Sequence, residues 1–325
     1  MVVISAVPRA REAPSRKGVS VGRTEEFLEL RPLLFSIAYR MLGSVSEAED
    51  VLQDTWLRYV AYPGEPRSAK SFLSAAVTRG SIDVLRSARV RREEYVGAWL
   101  PEPLVDDPYE DPERMAELAD SVSLAALLLL ERLSPLERAV FVLREVFDVD
   151  YAEVASAVGR SETACRQLAV RARDHMAAGK PRFAADRAEQ SELASRFFAA
   201  LSDGDVAGLQ AVLAAEVSMV GDGGGKAPQL ARPVIGAENV ARLLASAFPR
   251  LVRLEVTIEQ HQINGQPGAI VRDRNGLVLN TMVLDILDGQ IQAIRSVVNP
   301  DKLGHLGPVA DAWALDREFR HPGDS

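Results

Sequence analysis

The chain has 325 residues, 47% of them hydrophobic and 26% charged, enough for two or three domains with sizeable cores and too apolar for wholesale disorder. Its single cysteine, Cys165, excludes an internal disulfide and a cysteine-built zinc or iron–sulfur centre, and four scattered histidines (His175, His261, His305, His321) supply no metal-ligand spacing. The net charge of −8 is uneven, with +3 over residues 1–20 and −5 over residues 95–115, so local patches decide what the chain can bind. The longest apolar run, VSLAALLLL at 122–130, is far short of the roughly 18–20 residues of a membrane span. The basic N-terminal stretch lacks the apolar core of a signal peptide. A soluble cytoplasmic protein without a membrane partner is the expectation.

In chain order, the first block is helical. Apolar residues of 27–41 recur at helical spacing, with Pro32 near a helix start or a kink. Ser46-Glu47-Ala48-Glu49 reads as a capping box with Ser46 at the N-cap, opening a helix to about Tyr59. AYPGEPR (61–67) is a loop, and a third helical stretch runs from about Lys70 to Arg92. Residues 95–112, with four prolines, form a linker. Its Tyr95, Trp99, Leu100 and Leu104 suit docking on another surface or packing against the flanking helices. Helical pattern resumes over 113–132. Ser134-Pro135-Leu136-Glu137 then combines a capping box with Pro at the first helical position. Further helix starts follow at Asp150 and Ser161.

After about Ala184 the pattern changes. Two helical stretches (186–201 and 205–214) precede segments of period two: Val252, Leu254, Val256 and Ile258; then Leu277, Leu279, Thr281 and Val283; then Ile291, Ala293, Arg295 and Val297. Asp288-Gly289 is a hairpin turn, and the whole predicts a separate α+β domain with an antiparallel sheet.

The strongest chemical signal is at 150–176. A helix-turn-helix needs a small residue at the helix crossing, a glycine in the turn and apolar positions on the inner faces. Ala155, Gly159, and Val154, Val158, Cys165 and Leu168 fill these roles, which makes Cys165 a core residue rather than a redox sensor. The outward face of the second helix carries Ser161, Thr163, Arg166, Gln167 and Val170, flanked by Arg160, Arg171, Arg173, Lys180 and Arg182. Six basic residues against two acids between 160 and 182 suit a helix lying in a major groove between phosphates. An ordinary helix pair with a solvated basic face is the alternative.

Residues 79–92 form a second basic patch, with five arginines against Asp83. The acids Glu47, Glu49, Asp50 and Asp54 crowd a helix start, where the helix dipole favours them. Beyond them Gln53, Trp56 and Leu57 are expected to be exposed, and such an acidic and aromatic face also suits protein docking.

These features in this order resemble a bacterial sigma factor of the extracytoplasmic-function class, which keeps only regions 2 and 4. The resemblance implies two all-α domains, region 2 and a region 4 built on the helix-turn-helix. SEAEDVLQDTWLRYV (46–60) looks like region 2.2, implying that Asp50, Gln53, Asp54, Trp56 and Leu57 dock on the β′ clamp helices of core RNA polymerase. KSFLSAAVTRGSIDVLRSARVRREE (70–94) looks like regions 2.3–2.4, implying −10 contacts by Lys70, Arg79, Asp83, Arg86, Arg89, Arg91 and Arg92. The stretch 133–173 looks like region 4, which meets the polymerase β flap and, through Arg160, Ser161, Thr163, Arg166, Gln167, Arg171 and Arg173, the −35 element.

YVGAWLPEP (95–103), GDGGGK (221–226) and NPDKL (299–303) resemble the subgroup with a fused, cone-shaped SnoaL-like domain that controls the sigma factor. There Tyr95, Trp99, Leu100, Pro101, Asp222, Gly223, Gly224, Gly225, Lys226, Asn299, Pro300, Asp301, Lys302 and Leu303 are expected to form the regulatory contacts, the DGGGK loop reaching regions 2 and 4. Ala98 stands where proline is expected. The implied domains are a flexible basic tail (1–22, atypical, either a disordered arm or a misassigned start), region 2 (23–94), the linker (95–112), region 4 (113–183) and the SnoaL-like domain (184–325).

The GDGGGK loop is no P-loop: Val220 stands where the first glycine belongs, and Ala227 follows the lysine. A flexible loop presenting Asp222 and Lys226 is the better reading. Catalysis by the C-terminal domain would need a buried acid or base. Asp222, His261, Asp273 and Asp285 are the candidates; Asp273 is expected to be exposed and His261 to end a strand. They form no pair by spacing, so the reading is a non-enzyme with no cofactor and no metal. The rivals are a polymerase-independent helix-turn-helix regulator and a SnoaL-type enzyme fused to a DNA-binding module.

Overall fold

The computed structural model describes residues 16–105, 107–109, 121–177, 187–228 and 230–320. Helix α1 (Arg16–Leu42) is longer than its apolar pattern and takes in part of the expected basic tail, whose residues 1–15 lie outside the described residues. Pro32 sits within it, opposite the carbonyl of Leu28, whose residue is 59% exposed, so water can take the bond that proline cannot donate. Gly43 at φ 66° ends the helix, its N–H donating to the Tyr39 carbonyl at 2.7 Å.

Helix α2 (Val45–Ala61) is capped two residues before the expected position. Ser44 is the N-cap and accepts from the Glu47 amide at 3.1 Å. The free amides of Val45 and Ser46 are taken by a carboxylate from the linker, Glu102, at 2.7 and 3.1 Å, which no local reading of 46–49 contains. Helix α3 (Ala69–Glu93) packs across α1 and α2, the α2–α3 contact made close by Gly80, where a Cβ would lie 3.1 Å from Val51.

In region 4 the expected long helix is interrupted: Ser123 caps a short α4 (Leu124–Leu130), and 110–120 lie outside the described residues. Helix α5 (Pro135–Phe141) has the full capping box of Ser134 and Glu137 and widens into a π-helical turn at Val142–Val146. The helix-turn-helix is α6 (Tyr151–Val158), Gly159 at φ 65°, and α7 (Glu162–Ala177). Val154, Ala155, Val158, Cys165 and Leu168 are all buried between the helices.

The C-terminal domain opens with α8 (Arg187–Asp203) and α9 (Val206–Val212). Its sheet comprises β1 (Leu213–Asp222), β2 (Val234–Ile235), β3 (Thr257–Ile263), β4 (Gln266–Arg272), β5 (Val278–Leu287) and β6 (Gln290–Val297), in the order β2-β1-β6-β5-β4-β3. The expected antiparallel sheet is corrected at one place, since β1 and β6 run parallel. A second correction is α10 (Ala237–Arg253), which takes Val252 out of the expected strand; Leu254 follows the helix, and β3 begins only at Thr257. Val240, Ala241 and Leu244, buried at helical spacing against the sheet, outweigh the period-two pattern of residues 252–258. Asp288 and Gly289 have φ values of 51° and 69°, the left-handed pair that a two-residue hairpin turn requires.

The two faces of this sheet have different partners. Met282, Leu284 and Ile294 pack with Phe197, Leu209, Val240 and Leu244 from α8, α9 and α10. Val283, Val297, Ile270 and Ile263 belong instead to the core that also holds Leu34, Leu52, Leu100, Leu127 and Val154. Alternation along each strand thus places the linker and both helical domains in one core with the sheet's second face.

Candidate functional surfaces and the linker clamp

On α7, burial of Cys165, Leu168, Ala169, Ala172 and Met176 turns Thr163, Gln167 and Val170 outward at i, i+4 and i+7. All three are exposed, as are Arg160, Ser161, Arg166, Arg171 and Arg173 at the edges of the stripe. Val170, 47% exposed, offers an apolar contact of the kind that reads a thymine methyl. The flanking arginines are partly engaged within the fold: Arg171 with Glu137 at 3.0 Å, Arg173 with Glu145 at 3.2 Å, and Arg166 with Glu162 at 2.8 Å. Lys180 and Arg182 lie outside the described residues.

On α3, Lys70, Arg79, Asp83 and Arg86 are exposed, Asp83 and Arg86 pairing at 3.3 Å. The helix continues through Arg89, Arg91 and Arg92, whose side chains lie outside the described residues. One face of α3 is covered by region 4. Ser71 donates to Glu153 of α6 at 2.6 Å, and Arg79 donates to the Ala157 carbonyl at 3.4 Å. Arg138 of α5 is 3% exposed and donates to the Met41 carbonyl at the end of α1 and to Glu131, both at 2.7 Å.

On α2, Asp50, Gln53 and Asp54 are exposed, and Leu57 is 58% exposed. Trp56, expected to be exposed, is half-buried because its ring packs on Phe27 at 5.1 Å. Glu49 pairs with Arg31 across the α1–α2 seam at 2.6 Å.

Between these surfaces runs the linker, gripped at a buried polar hub. Asp222, the last residue of β1, has no exposed surface. Its carboxylate accepts from the Tyr95 hydroxyl at 2.5 Å, from the Leu100 amide at 2.8 Å and from Lys302 Nζ at 2.8 Å. Lys302 also donates to the Leu100 carbonyl at 2.5 Å and lies 4.4 Å from the Trp99 ring and 4.8 Å from the Tyr95 ring. Asn299 donates to the Tyr95 hydroxyl at 2.8 Å, and Leu303 is buried beneath. Burial, and then the Asp222 bond, push the Tyr95 phenol above its ordinary value. Gly224, at φ 57°, is required here: a Cβ would stand 2.4 Å from Asn299 Nδ2 and 2.8 Å from the Tyr95 hydroxyl. Gly225 leaves room for Val96 in the same way.

Two expectations about this loop change. Asp222 is a strand residue, and the turn is confined to the residues after Gly223, whose carbonyl accepts from the Lys226 amide at 2.8 Å. Lys226 does not reach region 2 or 4; it pairs with Asp301 of its own domain at the surface. The clamp grips the linker, and the linker carries the contact to region 2. Leu100, Pro101, Glu102, Pro103 and Leu104 are all buried, and the Trp99 ring lies over Gly43.

Several residues in this junction escaped the sequence reading. Glu102 accepts from Ser44 Oγ and Ser46 Oγ at 2.7 and 3.0 Å, besides the two amides at the start of α2. Asp107 pairs with the fully buried Arg40 at 2.9 Å, and Arg40 Nε donates to Ser121 at 2.8 Å. The available signal was the pairing of buried-type acids in the linker with Arg40 in an apolar helix run, which spacing alone cannot match.

The acid–base candidates separate. Asp273, expected to be exposed, is buried because its carboxylate caps its own turn, accepting from the Asn275 and Leu277 amides at 2.9 Å each. Asp285 is ion-paired with Arg295 at 2.7 Å. His261 lies within β3, not at its end, and faces Glu259 at 3.8 Å on the surface. Asp222 is committed to the linker. Among the described residues no group of three or more His, Cys, Asp or Glu side chains could hold a metal, and no helix is long and apolar enough to cross a membrane.

Residues 27–91 match the family model Sigma-70 region 2, and residues 123–176 match Sigma-70, region 4. The chain is 36% identical over 286 residues to the ECF RNA polymerase sigma factor SigJ of Mycobacterium tuberculosis, covering 85% of this chain and 92% of that one. It is 30% identical over 279 residues to the probable ECF RNA polymerase sigma factor SigI of the same species, covering 85% and 93%. The crystal structure of Mycobacterium tuberculosis SigJ superposes with a TM-score of 0.68 at 32% identity, covering 86% of this chain and 98% of that one, so the C-terminal α+β domain is shared as well. With both sigma regions matched and relatives spanned almost end to end, the chain belongs to the extracytoplasmic-function RNA polymerase sigma factors.

Proposed function

We propose that this alternative sigma factor, which binds core RNA polymerase and directs promoter recognition, is held by its own C-terminal domain in a closed arrangement that acts as a brake. The observation that carries this reading is that the helix-turn-helix sits on α3, with the Arg79 guanidinium bonded to the Ala157 carbonyl. A candidate −10 residue is thereby occupied by region 4 while the α7 stripe stays open. The clamp at Asp222 and Lys302 ties the linker joining the two regions to the C-terminal sheet, which supports control from that domain.

In the open protein, Asp50, Gln53, Asp54, Trp56 and Leu57 would dock on the β′ clamp helices and region 4 on the β flap. Lys70, Arg79, Asp83, Arg86, Arg89, Arg91 and Arg92 would act at the −10 element, where unstacked bases of the opened strand need polar and aromatic pockets. Ser161, Thr163 and Gln167 would read −35 base edges, with Arg160, Arg166, Arg171 and Arg173 positioning the helix on phosphates. The C-terminal domain works here as a regulatory element and not as an enzyme, since Asp222, Asp273 and Asp285 are each committed to an internal partner. A polymerase-independent regulator would leave the α2 face without a role.

Run-off transcription from a genomic promoter library, with sigma-free core polymerase and the full chain, tests the reading. Lys302→Met, which keeps the stem and removes the charge from the clamp, should raise output at promoters sharing −35 and −10 elements. Output unchanged or lowered across those promoters would refute the brake.

A further inference from the structure

One contact of the C-terminal domain lies outside the linker clamp and touches all the other bodies of the protein. Asn264 and Gly265 form the β3–β4 hairpin turn, at φ 54° and 67°. As a turn, Asn-Gly needs no explanation beyond its tolerance of positive φ. The side chain at such a tip ordinarily faces water; Asn264 is 1% exposed.

Its backbone amide donates to the Leu104 carbonyl at 2.7 Å, and its Oδ1 accepts from the Leu104 amide at 3.0 Å, a reciprocal pair with the linker. Its Nδ2 donates one proton to the Tyr39 hydroxyl of α1 at 2.7 Å and the other to the Val122 carbonyl, just before α4, at 3.0 Å. Tyr39 in turn donates to the Glu102 carbonyl at 2.6 Å. One amide therefore spends its acceptor on the linker and its two donors on region 2 and the entry to region 4. Asparagine supplies one acceptor and two donors in a plane. Aspartate lacks the donors, and glycine keeps the backbone geometry but lacks all three bonds.

We infer that the Asn264 hairpin tip is a docking element that sets how region 2 and region 4 sit relative to each other, through its simultaneous bonds to Tyr39, Leu104 and Val122. The inference rests on the reading that the C-terminal domain governs that arrangement. It adds a second contact, separate from the Asp222 hub, whose partner is the seam between the chain's own helical domains.

The test uses the full chain carrying spin labels at Arg58→Cys on α2 and Ser156→Cys on α6, both exposed positions, with the distance distribution read by pulsed electron resonance. Asn264→Gly should broaden the region 2–region 4 distance and shift the closed-to-open ratio by about 100-fold, as expected for three lost neutral hydrogen bonds. Core-dependent run-off output should change in the same direction as with Lys302→Met. An Asn264→Gly distance distribution equal to wild type overturns the inference, whatever the transcription shows. If Lys302→Met alters output and Asn264→Gly alters neither readout, the inference falls and control by the C-terminal domain stands. If Asn264→Gly opens the protein and neither variant alters output, the docking role stands and the brake falls. Should Asn264→Gly fail to fold, Asn264→Asp, which keeps the bond from Leu104 and loses both donors, carries the same measurements.

Discussion

Replacing Tyr95 with phenylalanine deletes one oxygen from the linker clamp and leaves its ring 4.8 Å from Lys302. That oxygen donates to the buried Asp222 carboxylate at 2.5 Å and accepts from Asn299 at 2.8 Å, and both partners belong to the C-terminal domain. Asp222 keeps its bonds from Leu100 and Lys302, so no carboxylate is stranded. The loss is one charge-assisted bond and one neutral bond, together about 2–4.5 kcal/mol, which converts to a roughly 30- to 2,000-fold rise in linker undocking. Three amides report it separately. Leu100 and Leu104 donate to Asp222 and Asn264 of the C-terminal domain, whereas Glu102 donates to the Gly43 carbonyl of region 2 at 2.8 Å. Residue-resolved hydrogen exchange in Tyr95→Phe should show Leu100 and Leu104 accelerated together by that factor, with Glu102 unchanged. Acceleration of Leu100 alone would refute the claim that the linker leaves the sheet as a unit. Acceleration of Glu102 by the same factor would mean that the linker also leaves region 2.

Glu102→Gln should cost about 1–3 kcal/mol and accelerate exchange at Val45 and Ser46, because each carboxylate oxygen accepts from two of the four donors and the oxygen facing the two amides would compete with an NH2 for its place; thermal unfolding measures the first and hydrogen exchange the second. In polymerase-bound protein, Gln167→Ala should lose about 1–3 kcal/mol of discrimination at one −35 position, while Arg160→Ala should weaken all sequences alike and reduce the salt slope by about one. Competition binding over a salt series separates these outcomes. Burial raises the Asp285 carboxyl above its ordinary value, with Arg295 opposing, and Oδ1 finds no partner among the described residues. A raised folded pKa favours the folded protein below the unfolded value of about 4, and that contribution is lost as pH rises through the folded value. Relative to Asp285→Asn, wild type should therefore lose stability as pH rises above about 4; denaturant midpoints that run parallel throughout that rise would contradict the assignment.

What the sequence discloses follows how far apart interacting residues lie. The helix-turn-helix is legible because Ala155, Gly159, Cys165 and Leu168 act within one turn or one helix pair, and their positions are fixed by local geometry. The start of α2 misleads because its amides are capped by Glu102, 56 and 57 residues away, while Ser46 carries a local capping signal that the fold does not use. Helix α10 hides behind the alternating Val252, Leu254 and Val256, and only burial of Val240, Ala241 and Leu244 against the sheet decides it. The clamp is visible as three short segments but not as a pair, since Asp222 and Lys302 are 80 residues apart. Asn264 is legible as a turn and silent as a contact, its partners lying 142 to 225 residues away in sequence. The same separation bears on mechanism. Each helical domain is specified by local signals and apolar packing, whereas the junction adds discrete polar bonds at Asp222, Asn264, Glu102 and Arg138 between segments far apart in sequence. A neutral bond such as those of Asn264 contributes about 0.5–1.5 kcal/mol, and a bond to the charged Asp222, Glu102 or Arg138 about 1.5–3 kcal/mol. The apolar core shared by the linker, both helical domains and the sheet supplies adhesion without direction, and the polar bonds added to it select one arrangement of the bodies; contacts of that size can be exchanged for those of a polymerase, which is what the proposed brake requires of this junction.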